Sequence, residues 1–473
     1  MYKKAVHTVS IVKKHLDPPK ATTYNFHQKL KRFAHMSRPW QTYDSKIVGA
    51  FSLLPGASTL CISDSIIGRS RNYPGATYYT NTIIARKDYG SKDWDKATTA
   101  NHKEFFQTSL LYSPLYALND FLQQGPAQFK RLARGNDIDT IIYNRSSTEQ
   151  VSILINKKNK EVLAVAILHA HELYGDNLKL FTYKGYTSGM SAVYPTAIQA
   201  IEHDTVTSDI HIRESQAILS AEYIIGTLPA NYALQAVEAK STPEIIHTKY
   251  NDHVHFFELP HTDERLLVVD FKDFLVVAEA PLNTANGELI IKKAGELFPG
   301  KPVRYFMFGH HHPHYLGGIR AFIHNGTTIL SRPEDTSYIR QLASFPHTIT
   351  PDILALEPRA LKMEVLDAER TITDGTKTMR IIHIGDMSQH TDDYLVYYFP
   401  EYRLLFQDDL GGIYKDKPIQ PASGRQKGLY DAIKKYGLTV DIIVQGWPIK
   451  SYGYKTIFPF GDLEESVKAM SQK

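Results

Sequence analysis

Four histidines, His310, His311, His312 and His314, lie within five residues of one another, directly after the apolar run 303–308. Imidazole binds zinc and similar ions in its neutral form, the main form near pH 7. His310 and His312 are one residue apart, so both can turn toward one ion from a single bend of the chain. A zinc site needs three or four protein ligands. His390, in the polar loop 385–393, is the best third ligand, and Asp409, just after the apolar run 404–407, is the best fourth. Each follows a strand-like run, and ligands from several strands meet outside their ends. His311 should face away from such a site, because successive residues of an extended segment point to opposite sides. Asp386 is placed to orient His390, as carboxylates behind metal-bound histidines do. Asp408 reads as a loop or supporting carboxylate. His169 and His171 share the His-x-His spacing, but neither a third ligand nor a glycine turn follows, so they read as strand-end residues. His253, His255 and His383 lie inside strand-like runs and read as ordinary strand residues.

The elements that must hold these residues divide into two textures. At 473 residues the chain exceeds one ordinary core, and two domains are expected, over 1–240 and 246–473. The first reads as β-rich, with strand-like runs at 140–143, 151–155, 162–166 and 178–183 and a polar turn at 156–160. Helices are expected in it at 115–122 and 126–132. In the second, 256–259, 266–270 and 274–278 read as consecutive strands with short spacers. A helical pattern follows, with Ile290, Ala294, Leu297 and Phe298 on one face, stopped by Pro299-Gly300. A strand, the histidine loop and another helix come next. Strand, helix, strand, site and helix in this order describe an α/β layer arrangement, with ligands outside the carboxyl ends of the strands. With the β-rich first half, the chain as a whole is expected to be α+β.

The run His310 to Gly318 resembles the His-x-His-x-Asp-His-x-Gly-Gly loop of metallo-β-lactamase-fold hydrolases. Further stretches resemble that family in the same order: Glu279-Ala280-Pro281-Leu282, Phe298-Pro299-Gly300-Lys301-Pro302, 317–322, 366–374, the His390 loop and 404–410. Together they span roughly 246–450. The resemblance implies an αββα sandwich with a metal site at its edge, usually holding two zinc ions. It implies that His310, His312 and His390 hold the first ion and that Asp409 bridges toward the second. The chain departs from the pattern at three places. His314 stands where the family carries aspartate, Tyr315 where it carries histidine, and Trp447, in Gln445-Gly446-Trp447-Pro448, where it carries the closing histidine. A single zinc, or an otherwise altered metal site, is therefore expected. His314 becomes a candidate ligand or general base, Tyr315 a candidate oxyanion donor or phenolate ligand, and Asp409 an assisting carboxylate. The N-terminal domain is similar to outer-membrane lipoprotein carriers, on 139–143, the hairpin at 156–160, and 183–186 ahead of Tyr194-Pro195. That likeness implies a curved antiparallel sheet with an apolar concave face, which covers the catalytic domain, presents substrate or holds an acyl chain.

Composition narrows the function. Lys+Arg 54 against Asp+Glu 50 is nearly balanced, and no arginine-rich run occurs, which argues against nucleic acid as a partner. One cysteine, Cys61, excludes an internal disulfide framework and a cysteine zinc site. No apolar run approaches the ~20 residues of a membrane span. The first twenty residues have no apolar signal core, which fits a cytoplasmic start or an exported chain whose signal has been removed. The expected function is a metal-dependent hydrolase that activates water on one zinc, or another divalent metal, to attack a small-molecule substrate. The alternative is a non-catalytic metal- or ligand-binding protein that keeps the fold without the two-metal chemistry.

Overall fold

The computed structural model describes residues 1–32, 43–56, 59–67, 73–80, 83–88, 97–99, 102–189, 192–217, 234–235 and 242–470. The chain divides into two compact units. One comprises Met1–Ala34, Pro39–Ala170 and Asp176–Ala239; the other comprises His171–Gly175 and Lys240–Lys473. No helix among the described residues is long and apolar enough to cross a membrane.

In the first unit two antiparallel meanders join edge to edge, where strand Thr22–Arg32 pairs with strand Thr205–Ala217. The described residues form a fourteen-stranded sheet, ending on one side in the short Leu234–Gln235, parallel to Ala97–Thr99. Strand Glu149–Asn156 shows how one face is covered. Burial alternates along it, with Glu149, Val151, Ile153 and Ile155 inside, as the period-2 geometry of a strand requires. Helices Tyr2–Leu16 and Leu115–Gln123 cover that face with Ala5, Val9, Val12, Leu16, Leu115, Leu118 and Phe121. The helix expected at 126–132 does not form. Phe129–Arg134 is a strand paired with Ile138–Ser146, and only Leu132 in it is fully buried. An edge strand satisfies the backbone of so short a run better than a two-turn helix with no apolar stripe to bury. His169 packs in strand Glu161–His171, and His171 Nδ1 accepts the N–H groups of Leu173 and Tyr174 at 3.1 and 3.2 Å, a strand-end role.

The second unit has two sheets, each with its strands in chain order. The seven-stranded sheet runs from Ile246–Lys249 through Val254–Leu259, Glu264–Asp270, Leu275–Ala278, Val303–Met307 and Thr328–Ser331 to Lys362–Val365. The six-stranded sheet runs from Glu369–Thr373 through Thr378–His383, Leu395–Phe399, Leu404–Gln407 and Ile442–Gln445 to Ile457–Pro459. Their central strands are apolar on both faces because each sheet is covered twice. Leu267 and Val269 meet Ile381, Tyr397, Phe399 and Phe406 between the sheets. The alternate residues Leu266 and Val268 meet Ile290, Ala294, Ile319 and Phe322 of helices Thr284–Leu297 and Ile319–His324. On the far side Ile382, Val396, Leu405 and Ile443 pack on Leu429, Ala432 and Ile433 of helix Gly424–Lys435 and on Leu463 of helix Phe460–Met470. The layers are helix, sheet, sheet, helix. The expected strands near 256–259, 266–270 and 274–278 and the helix before Pro299 all lie in this frame.

One core histidine ties stability to pH. His255 is 4% exposed, sits with its ring 4.9 Å from Phe298, and has a buried Nε2 without a hydrogen-bond partner. Burial first, and His247 beside it second, lower its pKa to about 4. The unfolded chain then binds a proton near the ordinary value of about 6.5, whereas the folded chain stays neutral. Between those limits the unfolded state holds more protons, so this residue makes stability fall as pH drops from about 6.5 to about 4. The His255→Leu protein should lose less stability than the parent between pH 7.5 and 5, read as the shift in urea midpoint. An equal shift in both proteins would refute the assignment.

Candidate metal centre

Strand direction gathers the site. Strands Leu275–Ala278 and Val303–Met307 are parallel, so both end at the same edge, delivering Glu279 and the histidine loop. Strand Glu264–Asp270 is antiparallel to Leu275–Ala278, so its start, Glu264, lies at that edge too. In the other sheet, Leu404–Gln407 and Ile442–Gln445 are parallel, and they deliver Asp408, Asp409 and Trp447. Thr378–His383 is two antiparallel pairings away from Leu404–Gln407, so it runs in the same direction and delivers the His390 loop. A hydrogen bond from Leu395 N to Gly309 O, 2.6 Å, joins the two sheets at this edge.

His310, His312 and His390 converge, with one ring nitrogen from each lying within 4.8 Å of the others. His310 Nε2 and His312 Nδ1 face each other at 2.9 Å. His390 Nε2 is buried and has no hydrogen-bond partner, although Asp409 Oδ2 is 3.1 Å away. An orphaned imidazole nitrogen facing two others suits a cation and is otherwise unfavourable. Burial first, and the neighbouring histidines second, depress His310 well below its ordinary value and bring His312 to about 3. Both rings are therefore neutral at pH 7 and need shed no proton to bind a cation. This donor set fits a divalent metal.

Each donor is held from behind. His310 Nδ1 pairs with Asp408 Oδ2 at 2.7 Å, in a site where both side chains are fully buried. That bond fixes the tautomer and leaves the Nε2 lone pair aimed into the cluster. Asp408 in turn adjoins Glu279, whose Oε1 accepts from Gly309 N at 3.0 Å and from Tyr397 Oη at 3.3 Å. Burial, and then the Glu279 carboxyl, raise Asp408 well above its usual range, and burial raises Glu279 likewise. Asp408 Oδ1 and Glu279 Oε2 are both left without partners, and one proton between them satisfies both. Tyr394 stacks on His310 with centroids 4.7 Å apart, donates to Asp409 Oδ1 at 3.1 Å, and accepts the N–H groups of Asp408 and Asp409. Burial alone would raise the Asp409 carboxyl, but His390 and Arg425 outweigh it and hold it below the usual value. Arg425 Nη1 donates to Asp409 Oδ2 at 3.0 Å.

The remaining expected residues fall as follows. His311 points away: its backbone N donates to Asp393 Oδ2 at 2.7 Å, and its ring meets the same carboxylate, with Asp392 close by. His314 stands outside the three-histidine group, and its Nδ1 meets the buried Glu264 carboxyl. Burial, partly offset by His314, brings Glu264 to about 7. Tyr315 is 2% exposed with its ring 4.4 Å from His310, and burial, then Asp409, hold its phenol well above 10. It is thus a neutral phenol at pH 7. The Trp447 ring lies 5.3 Å from the His314 ring between centroids. Asp386 is exposed in the turn Gly385–Ser388, and the carboxylate beside His390 is Asp409. His253, His255 and His383 lie outside the cluster.

Glu264, Glu279, Tyr394 and Arg425 are site residues that the sequence did not mark. Glu279 carries one signal, the Glu-Ala-Pro-Leu break after an apolar strand. Glu264 begins a strand instead of ending one, and Arg425 sits in the first turn of a helix far along the chain.

No protein-family model and no curated protein matches the chain. Among solved structures it is similar to a metallo-β-lactamase from Pontibacter korlensis, at 14% identity over 49% of this chain and 100% of that one, with TM-score 0.36. It is similar also to the metallo-β-lactamase FIM-1 from Pseudomonas aeruginosa in its mono-zinc form, at 16% identity over 50% and 98%, with TM-score 0.36. A metallo-β-lactamase from Hirschia baltica is similar at 15% identity over 48% and 98%, with TM-score 0.34.

Proposed function

We propose that the chain is a metal-dependent hydrolase with a single divalent ion, zinc by ligand type, held by His310, His312 and His390 with Asp409 beside it. The convergence of three imidazole nitrogens, one of them buried and unpartnered, carries this reading. A bound ion of this kind supplies Lewis-acid polarisation and an acidified water. The chain's own residues orient and gate. Asp408 sets the His310 tautomer, and Arg425 and Tyr394 keep Asp409 ionised and fixed, where it can accept a hydrogen bond from an attacking water. Tyr315, a neutral phenol against His310, offers an oxyanion donor. His314, held by Glu264, is assigned in this reading the role of an assisting base or a further ligand. Trp447 beside His314 supports one ion over two. Domains over 1–240 and 246–473 belong to the same reading.

The test is metal-dependent turnover. The zinc-loaded chain should hydrolyse at least one member of a panel of lactone, thioester, phosphoester and β-lactam substrates, and chelation should remove that activity. Stoichiometric zinc binding with no turnover across the panel would favour the non-catalytic binding protein, a reading that Trp447 also suits.

A further inference from the structure

We infer that an aromatic row leading outward from the histidine cluster is its recognition surface, and that it takes a flat ring-bearing anion of the aromatic carboxylate type. The inference rests on reading the cluster as a catalytic centre. The row starts at Tyr315, which packs on His310 and lies next to His314. It continues from His314 to Trp447 at 5.3 Å between centroids, to Tyr452 at 6.1 Å, to Tyr454 at 5.8 Å with the rings within 17° of parallel, and to Tyr414 at 4.9 Å. Tyr414 and Tyr454 line a cavity of about 240 Å³, more than the ~150 Å³ that accommodates a benzene ring.

Tyr452 is the residue that folding alone does not explain. The residue is 66% exposed, and its backbone has φ +66, a left-handed conformation unfavourable for a bulky side chain. The surroundings impose this conformation. The Asp263 carboxylate accepts the N–H groups of Ile449, Lys450 and Ser451 at 3.2, 2.6 and 3.1 Å. On the other side Gly453 O accepts from Lys415 N at 2.9 Å. The loop is pinned before and after Tyr452, so a large aromatic face is presented to solvent instead of being buried. Held strain of this kind belongs to binding sites, and ring faces select flat partners by stacking.

Charge selects the sign of the partner. Lys417 Nζ lies 4.0 Å from the Tyr414 centroid, and Lys415 and Lys450 are exposed nearby, against Asp416. A cation over a ring at the end of a stacking row matches a carboxylate carried on the plane of an aromatic ligand.

Titration calorimetry of the full chain with three probes tests the inference. 2-Naphthoate is flat and anionic, cyclohexanecarboxylate is anionic without a flat face, and 2-naphthalenemethanol is flat without charge. 2-Naphthoate should bind tightest. Tyr452→Ala should weaken it about tenfold, the loss of one stacked face, with unfolding temperature unchanged. Lys417→Met should weaken 2-naphthoate about threefold and leave 2-naphthalenemethanol unaffected. Both variants should keep the parent's zinc stoichiometry. Equal affinity for 2-naphthoate and cyclohexanecarboxylate, or parental 2-naphthoate affinity in Tyr452→Ala, would overturn the recognition surface. If the chain binds 2-naphthoate but no zinc, the catalytic reading fails and the aromatic row stands; zinc binding without 2-naphthoate binding gives the reverse.

Discussion

Replacing His390 with alanine should remove bound divalent metal from a protein that still folds. The parent should carry about one equivalent of zinc after purification without an affinity tag, as a three-histidine site requires. His390 sits on a loop between strands Thr378–His383 and Leu395–Phe399, and its Nε2 has no protein hydrogen bond to lose. Its removal therefore costs little in the chelated protein. The effect on zinc affinity should exceed the ~100-fold lost when a mere supporting group is removed. His310→Ala should lose metal equally and stability as well. Its ring is fully buried against Asp408 and Tyr394, and its loss leaves the Asp408–Glu279 pair without its donor, at a cost of about 1–3 kcal/mol. Zinc titration calorimetry and urea unfolding in chelator separate the two variants. Parental zinc affinity in His390→Ala would end the metal reading. A stability loss in His390→Ala as large as that in His310→Ala would instead show that the loop is structural.

A single methyl group at Gly309 should do nearly as much. A Cβ built there overlaps the Asp408 carboxylate, which is fully buried and cannot swing to solvent. Asp408 must move off His310 Nδ1, and Gly309 N must shift from Glu279 Oε1. Overpacking of this kind costs about 1–3 kcal/mol, and a displaced buried carboxyl adds about 1–3 kcal/mol. Zinc affinity should fall between 10- and 100-fold, as for other losses of support behind a ligand. Asp408→Asn distinguishes the causes. It keeps the shape and the hydrogen bond but removes the charge, so it should cost less stability than Gly309→Ala. The reverse order would show that the proton shared with Glu279, not the fit at Gly309, governs the site.

The strands at 256–259, 266–270 and 274–278 and the helix Thr284–Leu297 are visible in the sequence, through apolar runs and a one-sided stripe. The layering of helix, sheet, sheet and helix is implied only by the family resemblance. Periodicity is local, so it survives without knowledge of the fold. The segment 126–132 reads as helix from the sequence, and Phe129–Arg134 is a strand, for the complementary reason. Its strand state depends on pairing with Ile138–Ser146, a partner that the run itself does not reveal.

The sequence by itself determined the donor types and the two halves of the histidine pair, since His310 and His312 need only one bend to act together. Set beside the family it resembles, it also marked His314, Tyr315 and Trp447 as departures from the family's pattern. Only the tertiary structure decided how those residues are used. It directed His314 to Glu264, gave His310 the Asp408 carboxyl and His390 the neighbouring Asp409, and placed Trp447 against His314. The physical reason is strand direction. Residues 19 to 133 positions apart meet at one edge because their strands run parallel or antiparallel in a fixed order, and that order is a property of the sheets and not of any short stretch of chain.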